Sequence, residues 1–547
     1  MQRSCAESAG AEKAETVMKK YKDEPVRRRE RDRYRDRNRD YDEYSEDDRY
    51  DQGEYEERMD RYDRVYEERR KSSGKKKKGR KKPFSIVFLS ILFTCLLGSM
   101  LFYVCEYSVV NKEKLINNSY NGRQQILLSQ NTRGSIMASD GTVLAKTATD
   151  AQGNEVRQYP FSNEFAHVVG YASQGRAGVE AMANYYLINS NVSIAEKAKD
   201  DAAQQKYPGD NVYTTLNTKL QEVAYKSLGV YRGAVVVSDP KTGAILAMVS
   251  KPDFDPNEID QEWKTLVADK ENSELLNRAT QGLYPPGSTF KIMTSLEYIR
   301  ENPDTYQNYR YNCTGSFTHG QDTIKCFHGE HHGQLDFFGS FAKSCNSSYA
   351  NISMTLDRSS FKKTLTELMF NSALPLEMNY SKSVAISEPS TSDSDIMQLA
   401  IGQGTTAMTP IHLNMITCAV ANGGDLMKPY LIDHVQTATG KMVRQFDAEE
   451  YKRLMTQNEA SILTEMMKGV VQSGTATKLK GLSYTAAGKT GSAEYSNLTS
   501  DSHAWFTGFA PAEDPKICVT IIIEKAGSGG EYAVPIAKRI FDAYFGA

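Results

Sequence analysis

Three short groups of residues in this 547-residue chain have the types and the order that acyl transfer requires. The first is Ser288 and Lys291 in YPPGSTFKIM, where a Pro-Pro-Gly turn delivers a serine and a lysine follows three places later in an apolar run. On a helix, positions i and i+3 share a face. A serine hydroxyl is a weak nucleophile until a neighbouring base takes its proton, and a lysine becomes such a base when burial and nearby positive charge lower its pKa. The turn places Ser288 at a helix N-terminus, where free N–H groups and the macrodipole favour developing negative charge. The plainer reading of the same residues is an N-cap serine beside a snorkelling lysine.

The second group is Ser344-Cys345-Asn346. The hydroxyl of Ser344 can relay a proton towards a leaving amine, and the amide of Asn346 can hold a substrate carbonyl or orient Lys291. The third is Lys489-Thr490-Gly491 in AAGKTGSAE, a strand-like run whose small residues let a ligand lie against its edge. Lys489 and Thr490 suit a carboxylate, and the N–H of Ser492 with that of Ser288 can form an oxyanion hole.

None of these patterns is specific alone. S-x-x-K recurs at Ser340/Lys343, Ser359/Lys362 and Ser360/Lys363, S-x-N recurs at Ser119-Tyr120-Asn121, and KTG recurs at Lys241-Thr242-Gly243. The KTG at 241–243 follows Asp239-Pro240 between two apolar runs and reads as turn chemistry. What favours Ser288 is its rigid turn, its long apolar helix and the order of its partners.

The elements that must position these groups follow from the rest of the chain. Residues 1–83 form a charged tail, almost wholly Arg, Asp, Glu and Tyr from Glu24 to Arg70, which reads as solvated and disordered because it holds too few apolar residues to offset ordering entropy. Over the whole chain 67 Lys and Arg stand against 69 Asp and Glu, so there is no nucleic-acid footprint. A lysine-rich block, KSSGKKKKGRKK, precedes an uncharged run over 84–105 that is long enough for one transmembrane helix. The positive-inside rule then puts the tail in the cytoplasm and the remainder outside a bacterial cytoplasmic membrane. Residues 106–215 read as a small membrane-proximal pedestal and 216–547 as the catalytic domain.

Within 216–547, GAVVVSD and AILAMVS around PKTG predict a hairpin, a mostly helical stretch follows to about 475, and three strands and an amphipathic helix close the chain. The expected fold is α+β: a five-stranded, mainly antiparallel sheet flanked by helices, with a helical insertion.

Four of the eight histidines crowd into HGQDTIKCFHGEHHG at 319–333, with Cys313 just before and Cys326 inside. Cys313, Cys326 and His328 are the candidate ligands of a structural zinc, and a Cys313–Cys326 disulfide with solvated histidines is the alternative. The trio itself needs no metal or other cofactor.

In this order, the three groups are the S-x-x-K, S-x-N and K-T-G set of penicillin-binding proteins and serine β-lactamases. TRGSIMASDGTVLA (132–145), RAGVEAMANYYL (176–187), GAVVVSDPKTGAILAMVSKPDFDPN (233–257), AIGQGTTAMTP (400–410), ANGGDLMKPYL (421–431) and HAWFTGFAP (503–511) resemble class B penicillin-binding proteins more closely. The resemblance implies a peptidoglycan D,D-transpeptidase that cross-links stem peptides ending in D-Ala-D-Ala through an acyl-enzyme on Ser288. It also implies inhibition by β-lactams and, as partner, a polytopic glycosyltransferase of division or elongation. A D,D-carboxypeptidase or a β-lactamase would use the same serine, and a β-lactam sensor or division scaffold would carry it as a vestige. The pedestal looks short for the family, and the charged tail is not part of the shared pattern.

Overall fold

The computed structural model describes residues 84–111, 123–494 and 502–546, with a few positions between 61 and 71. The charged tail, the lysine block and Ser119-Tyr120-Asn121 lie almost entirely outside the described residues. The uncharged run is one 27-residue helix, α1 (Phe84–Val110), extending five residues past the expected end. Its Phe84–Ser108 stretch is long and apolar enough to cross a membrane.

Helix α2 (Thr218–Leu228) begins at Asn217, whose side chain accepts from the N–H of Leu220, and buries Leu220, Ala224 and Leu228 as their spacing predicts. The five-stranded sheet then starts with the hairpin β1 (Gly233–Ser238) and β2 (Ile245–Lys251). It is completed from the far end of the chain by β3 (Ala487–Glu494), β4 (Ser502–Ala510) and β5 (Ile517–Ile523). The order is β3-β4-β5-β1-β2 and every pairing is antiparallel. Strands β1, β4 and β5 are buried at every position, and β1 and β5 accordingly carry near-continuous apolar runs. Helix α2 and the last helix, Gly529–Phe545, pack on each other and on this sheet, as does the helix Pro410–Ala421. Strand β3 is an edge, with a strand on one side only.

Between β2 and β3 the chain forms helices that include α3 (Lys291–Glu301), α4 (Asn346–Ser353), α5 (Pro410–Ala421) and α6 (Gln457–Ser473), of which α6 packs against β3, and α7 (Gly529–Phe545) follows β5. The stretch expected to be mostly helical also holds short strands. Arg310–Cys313 pairs with Gly333–Asp336, and Ser316–His319 pairs with Asp322–Lys325. These four are polar and only four residues each, too short for a period-two signal.

The pedestal departs from expectation in one respect. Its six-stranded sheet runs Met442–Gln445, Ile432–Gln436, Asn211–Thr214, Ile136–Met137, Val143–Thr149, Glu155–Gln158, so two strands come from beyond residue 430. The N–H of Thr215 donates to Leu431 O, and one continuous core joins Ile136 and Val168 to Ile521 and Phe541. Hydrogen bonds and packing thus run across position 215/216.

Candidate active site

Pro285 and Pro286 lead into a 3-10 turn, Gly287–Phe290, that runs straight into α3. Gly287 has φ +54, and a Cβ there would lie 3.0 Å from both Ser492 O and the Ala493 side chain, so glycine lets the turn lie on β3. Gly491 does the same from the strand side, since its Cβ would meet Pro286 O at 3.0 Å. The indole Nε1–H of Trp505 donates to Pro285 O at 3.0 Å and braces the turn. In a 3-10 turn residues i and i+3 eclipse. This puts the half-buried Ser288 hydroxyl 3.0 Å from the Nζ of the fully buried Lys291.

Lys291 Nζ also donates to Ser344 O (2.6 Å) and Asn346 Oδ1 (2.8 Å), and lies 3.4 Å from Ser344 Oγ. Burial lowers its pKa to about 7, although the Cys345 and Cys326 sulfurs act in the opposite sense. A neutral amine has two N–H donors and one lone pair. With the donors spent on Ser344 O and Asn346 Oδ1, the lone pair is left facing Ser288 Oγ–H. Asn346 is held in that sense because its Nδ2 donates to Lys325 O at 3.1 Å. Ser344 has φ +55, a strained conformation for a serine, fixed by the N–H of Cys345 donating to Ser340 O across the turn.

From β3, Lys489 Nζ donates to Ser344 Oγ (2.8 Å) and to Thr490 O (2.9 Å). Lys489 is fully buried, and both burial and the charge of Lys291 push its pKa well down. One hydroxyl, that of Ser344, thus links two buried lysines. The Thr490 hydroxyl bonds that of Thr475, just past α6, and Ser492 Oγ accepts from Gly529 N at 3.4 Å. Ser288, Lys291, Ser344, Asn346, Lys489, Thr490, Gly491 and Ser492 therefore lie together along the β3 edge. Such an arrangement can activate a hydroxyl, move its proton by way of Ser344, and hold an anion beside an extended peptide. A separate cavity of about 620 Å³, lined by His167, Phe254, Gln281 and Met378 among others, contains none of these residues.

The other matches are dispersed. Ser340 Oγ donates to Asp336 O, Lys343 reaches Ser473 O, and Lys362 pairs with Glu388. Lys241 lies in the β1–β2 turn and pairs with Asp514.

The cysteine cluster corrects one expected ligand and adds another. Cys313, Cys326, His332 and Cys345 converge, their ligand atoms all within 4.8 Å of one another. His328 is not among them: it has φ +51 in the turn Phe327–Gly329 and is exposed against the Phe327 ring. The pairing of Gly333 with Cys313 brings in His332 instead, its Nδ1 3.3 Å from Cys313 Sγ. The Sγ atoms of Cys313 and Cys326, and of Cys326 and Cys345, are 3.7 Å apart. Sulfur ligands 2.3 Å from a tetrahedral zinc are about 3.8 Å apart. Ser347 Oγ lies 3.2–3.3 Å from all three sulfurs, where its hydroxyl can donate to a metal-bound thiolate. Sequence reasoning missed Cys345 although it sits inside the S-x-N triplet, and it missed Thr475, which no motif marked.

Residues 233–542 match the penicillin binding protein transpeptidase domain, and residues 133–212 match the penicillin binding protein A dimerisation domain. The chain is 29% identical over 453 residues to the peptidoglycan D,D-transpeptidase PbpA of Mycolicibacterium smegmatis, covering 77% of this chain and 91% of that protein. The ceftriaxone acyl-enzyme complex of penicillin-binding protein A from M. tuberculosis superposes with a TM-score of 0.69 at 26% identity, covering 76% of this chain and 98% of that one. The D,D-transpeptidase domain of a peptidoglycan glycosyltransferase from Eggerthella lenta does so with the same TM-score at 28% identity, covering 76% and 99%. The chain belongs to the penicillin-binding proteins, as a class B member with their transpeptidase domain.

Proposed function

We propose that the chain is a serine D,D-transpeptidase acting on peptidoglycan stem peptides. Ser288 Oγ attacks the carbonyl between the two terminal D-Ala residues and passes its proton to Lys291 Nζ. The N–H groups of Ser288 and Ser492 receive the developing oxyanion. The tetrahedral intermediate expels the terminal D-Ala, whose amine takes a proton through the Ser344 hydroxyl. The amine of a second stem then displaces Ser288 and forms the cross-link. Lys489 and Thr490 hold the terminal carboxylate, which restores positive charge to Lys489. β-Lactams, strained amides with a nearby carboxylate, acylate the same oxygen.

The observation that carries this reading is the aim of Lys291, whose N–H donors are taken by Ser344 and Asn346 while Ser288 lies 3.0 Å away. Ser288→Ala is expected to abolish labelling by a fluorescent penicillin with an unchanged melting profile. Persistent labelling of the folded variant would place the nucleophile elsewhere.

The apolar helix α1 supports a membrane-anchored enzyme, and the lysine block before it supports a cytoplasmic N-terminus with the catalytic part outside. A polytopic glycosyltransferase, which supplies the glycan to be cross-linked, is the partner this chemistry suits.

The cysteine cluster favours a bound structural zinc, held by Cys313, Cys326, His332 and Cys345. Because Cys345 lies between Ser344 and Asn346, the metal would fix the triplet that aims Lys291. Metal analysis of the full chain should find one zinc per polypeptide, lost together with penicillin labelling in Cys326→Ser. Zinc well below stoichiometry in folded, active protein ends the idea.

A further inference from the structure

Strand β3 is the edge of its sheet, and its last described residue is already occupied on the open side. With its amide turned as the neighbouring groups require, Gln403 donates from its nitrogen to Glu494 O at 3.0 Å and accepts at its oxygen from Glu494 N at 3.1 Å. A side-chain amide making both bonds does what one residue of an added strand would do.

This fixes the edge. Since the N–H and C=O of Glu494 face away from β4, the period of two turns those of Ser492 and Thr490 to the same open side. Thr490 O accepting from Lys489 Nζ agrees with that alternation. Three successive stations therefore line the edge: Thr490 beside the anion-holding lysine, Ser492 beside Ser288, and Glu494 closed by Gln403. The residue that closes the third is itself fastened to the nucleophile turn, because the N–H of Gly287 donates to Gly402 O at 2.9 Å.

We infer that Gln403 is a positioning and specificity residue, which stops strand addition one station past the acylation point. The inference rests on the assignment of Ser288 and the β3 edge given above. A donor whose carboxylate lies at Lys489 and whose reacting carbonyl lies at Ser492 runs upstream towards Glu494. There the amide of Gln403 already holds both backbone groups, so the peptide turns off the strand after the penultimate residue. Recognition by main-chain pairing is thereby confined to the D-Ala-D-Ala end, and the upstream stem is left free to vary.

The test compares two donors with the full-length protein in detergent: acetyl-D-Ala-D-Ala and acetyl-L-Lys-D-Ala-D-Ala. Release of D-Ala gives kcat/KM for each, in the parent and in Gln403→Met, which keeps length and packing but lacks the amide. With the Glu494 station open, the preference for the longer donor should rise about three- to tenfold, the worth of the one hydrogen bond that its acetyl carbonyl gains from the N–H of Glu494. Should Gln403→Met fail to fold, Gln403→Asn, too short to reach Glu494, carries the same expectation. A preference equal to the parent's, with both donors slowed alike, would show a mere structural brace and overturn the inference. Penicillin labelling of the parent, lost in Ser288→Ala, checks the underlying assignment separately. Failure there sinks that assignment, whereas a flat donor preference sinks only the role of Gln403.

Discussion

Two buried clusters of charge in this chain are built on opposite terms. In the membrane-proximal part Glu180 is wholly enclosed, with Arg133 at 2.6 Å and Arg157 at 2.7 Å from its carboxylate. Beside Ser288, Lys291 and Lys489 are enclosed to the same degree, yet among the described residues neither has a carboxylate partner. Burial alone would raise the pKa of Glu180, but the two guanidiniums outweigh it and hold the group below its ordinary value. Burial of Lys291, whose hydrogen-bond partners are hydroxyls and carbonyls, brings its pKa down to about 7. A paired charge is locked in one state and serves structure. An unpaired one is left at the edge of two states, where a base must be.

If that contrast is right, the clusters break differently. The largest effect is expected for Glu180→Gln, which leaves two buried guanidiniums facing an amide. It should cost about 3–5 kcal/mol of stability, read by denaturant unfolding, while the fraction that remains folded is acylated by penicillin at the parent rate. Loss of acylation in the folded fraction would mean that the two clusters are one system.

The second effect is on rate. Only neutral Lys291 can take the proton of Ser288, so acylation should fall about tenfold per pH unit below about 7 and level off above it. A flat profile between pH 5 and 7 would exclude Lys291 as the base. Both groups make stability rise with pH, one by adding a favourable contribution and the other by relaxing a cost, in separate windows. Glu180, held low, stabilises above the ordinary carboxylate pKa, and this is lost as pH falls through its folded value. Lys291, also held low, costs stability below about 7, and the cost relaxes as pH rises towards the ordinary lysine value.

The smallest effect sharpens the sequence side of the comparison. Lys241→Ala alters a KTG triplet identical in composition to the functional one, but exposed in a turn. Acylation should stay within about twofold of the parent, since an exposed pair contributes little. A larger loss would show that the β1–β2 turn acts on the site.

The fold and the trio were legible in the chain because each rests on local pattern. The apolar runs of β1 and β5, the helical spacing of Leu220, Ala224 and Leu228 and the order Ser288, Ser344, Lys489 all survive in one dimension. What escaped depends on register between segments far apart. His332 displaced His328 because a four-residue pairing, Gly333 against Cys313, decides which of four clustered histidines faces the thiols. Cys345 was hidden by its place inside a motif read for its flanks. Thr475 and Gln403 meet strand β3 only in the folded chain: no motif marks Thr475, and Gln403 sits in AIGQGTTAMTP, whose resemblance says nothing of contact with β3.

The borrowed strands of the pedestal sheet have a consequence for how the protein is made. Asn211–Thr214 has Ile136–Met137 on one side and Ile432–Gln436 on the other, so a chain made N-terminus first leaves that second edge open until residues 432–436 have been synthesised. Loop closure over such a distance is slow, and an open strand edge invites other chains. The membrane-proximal part is thus the first to be synthesised and among the last to be completed. A nascent enzyme interrupted before residue 432 would be an aggregation hazard at the membrane, not a folded half waiting for its partner.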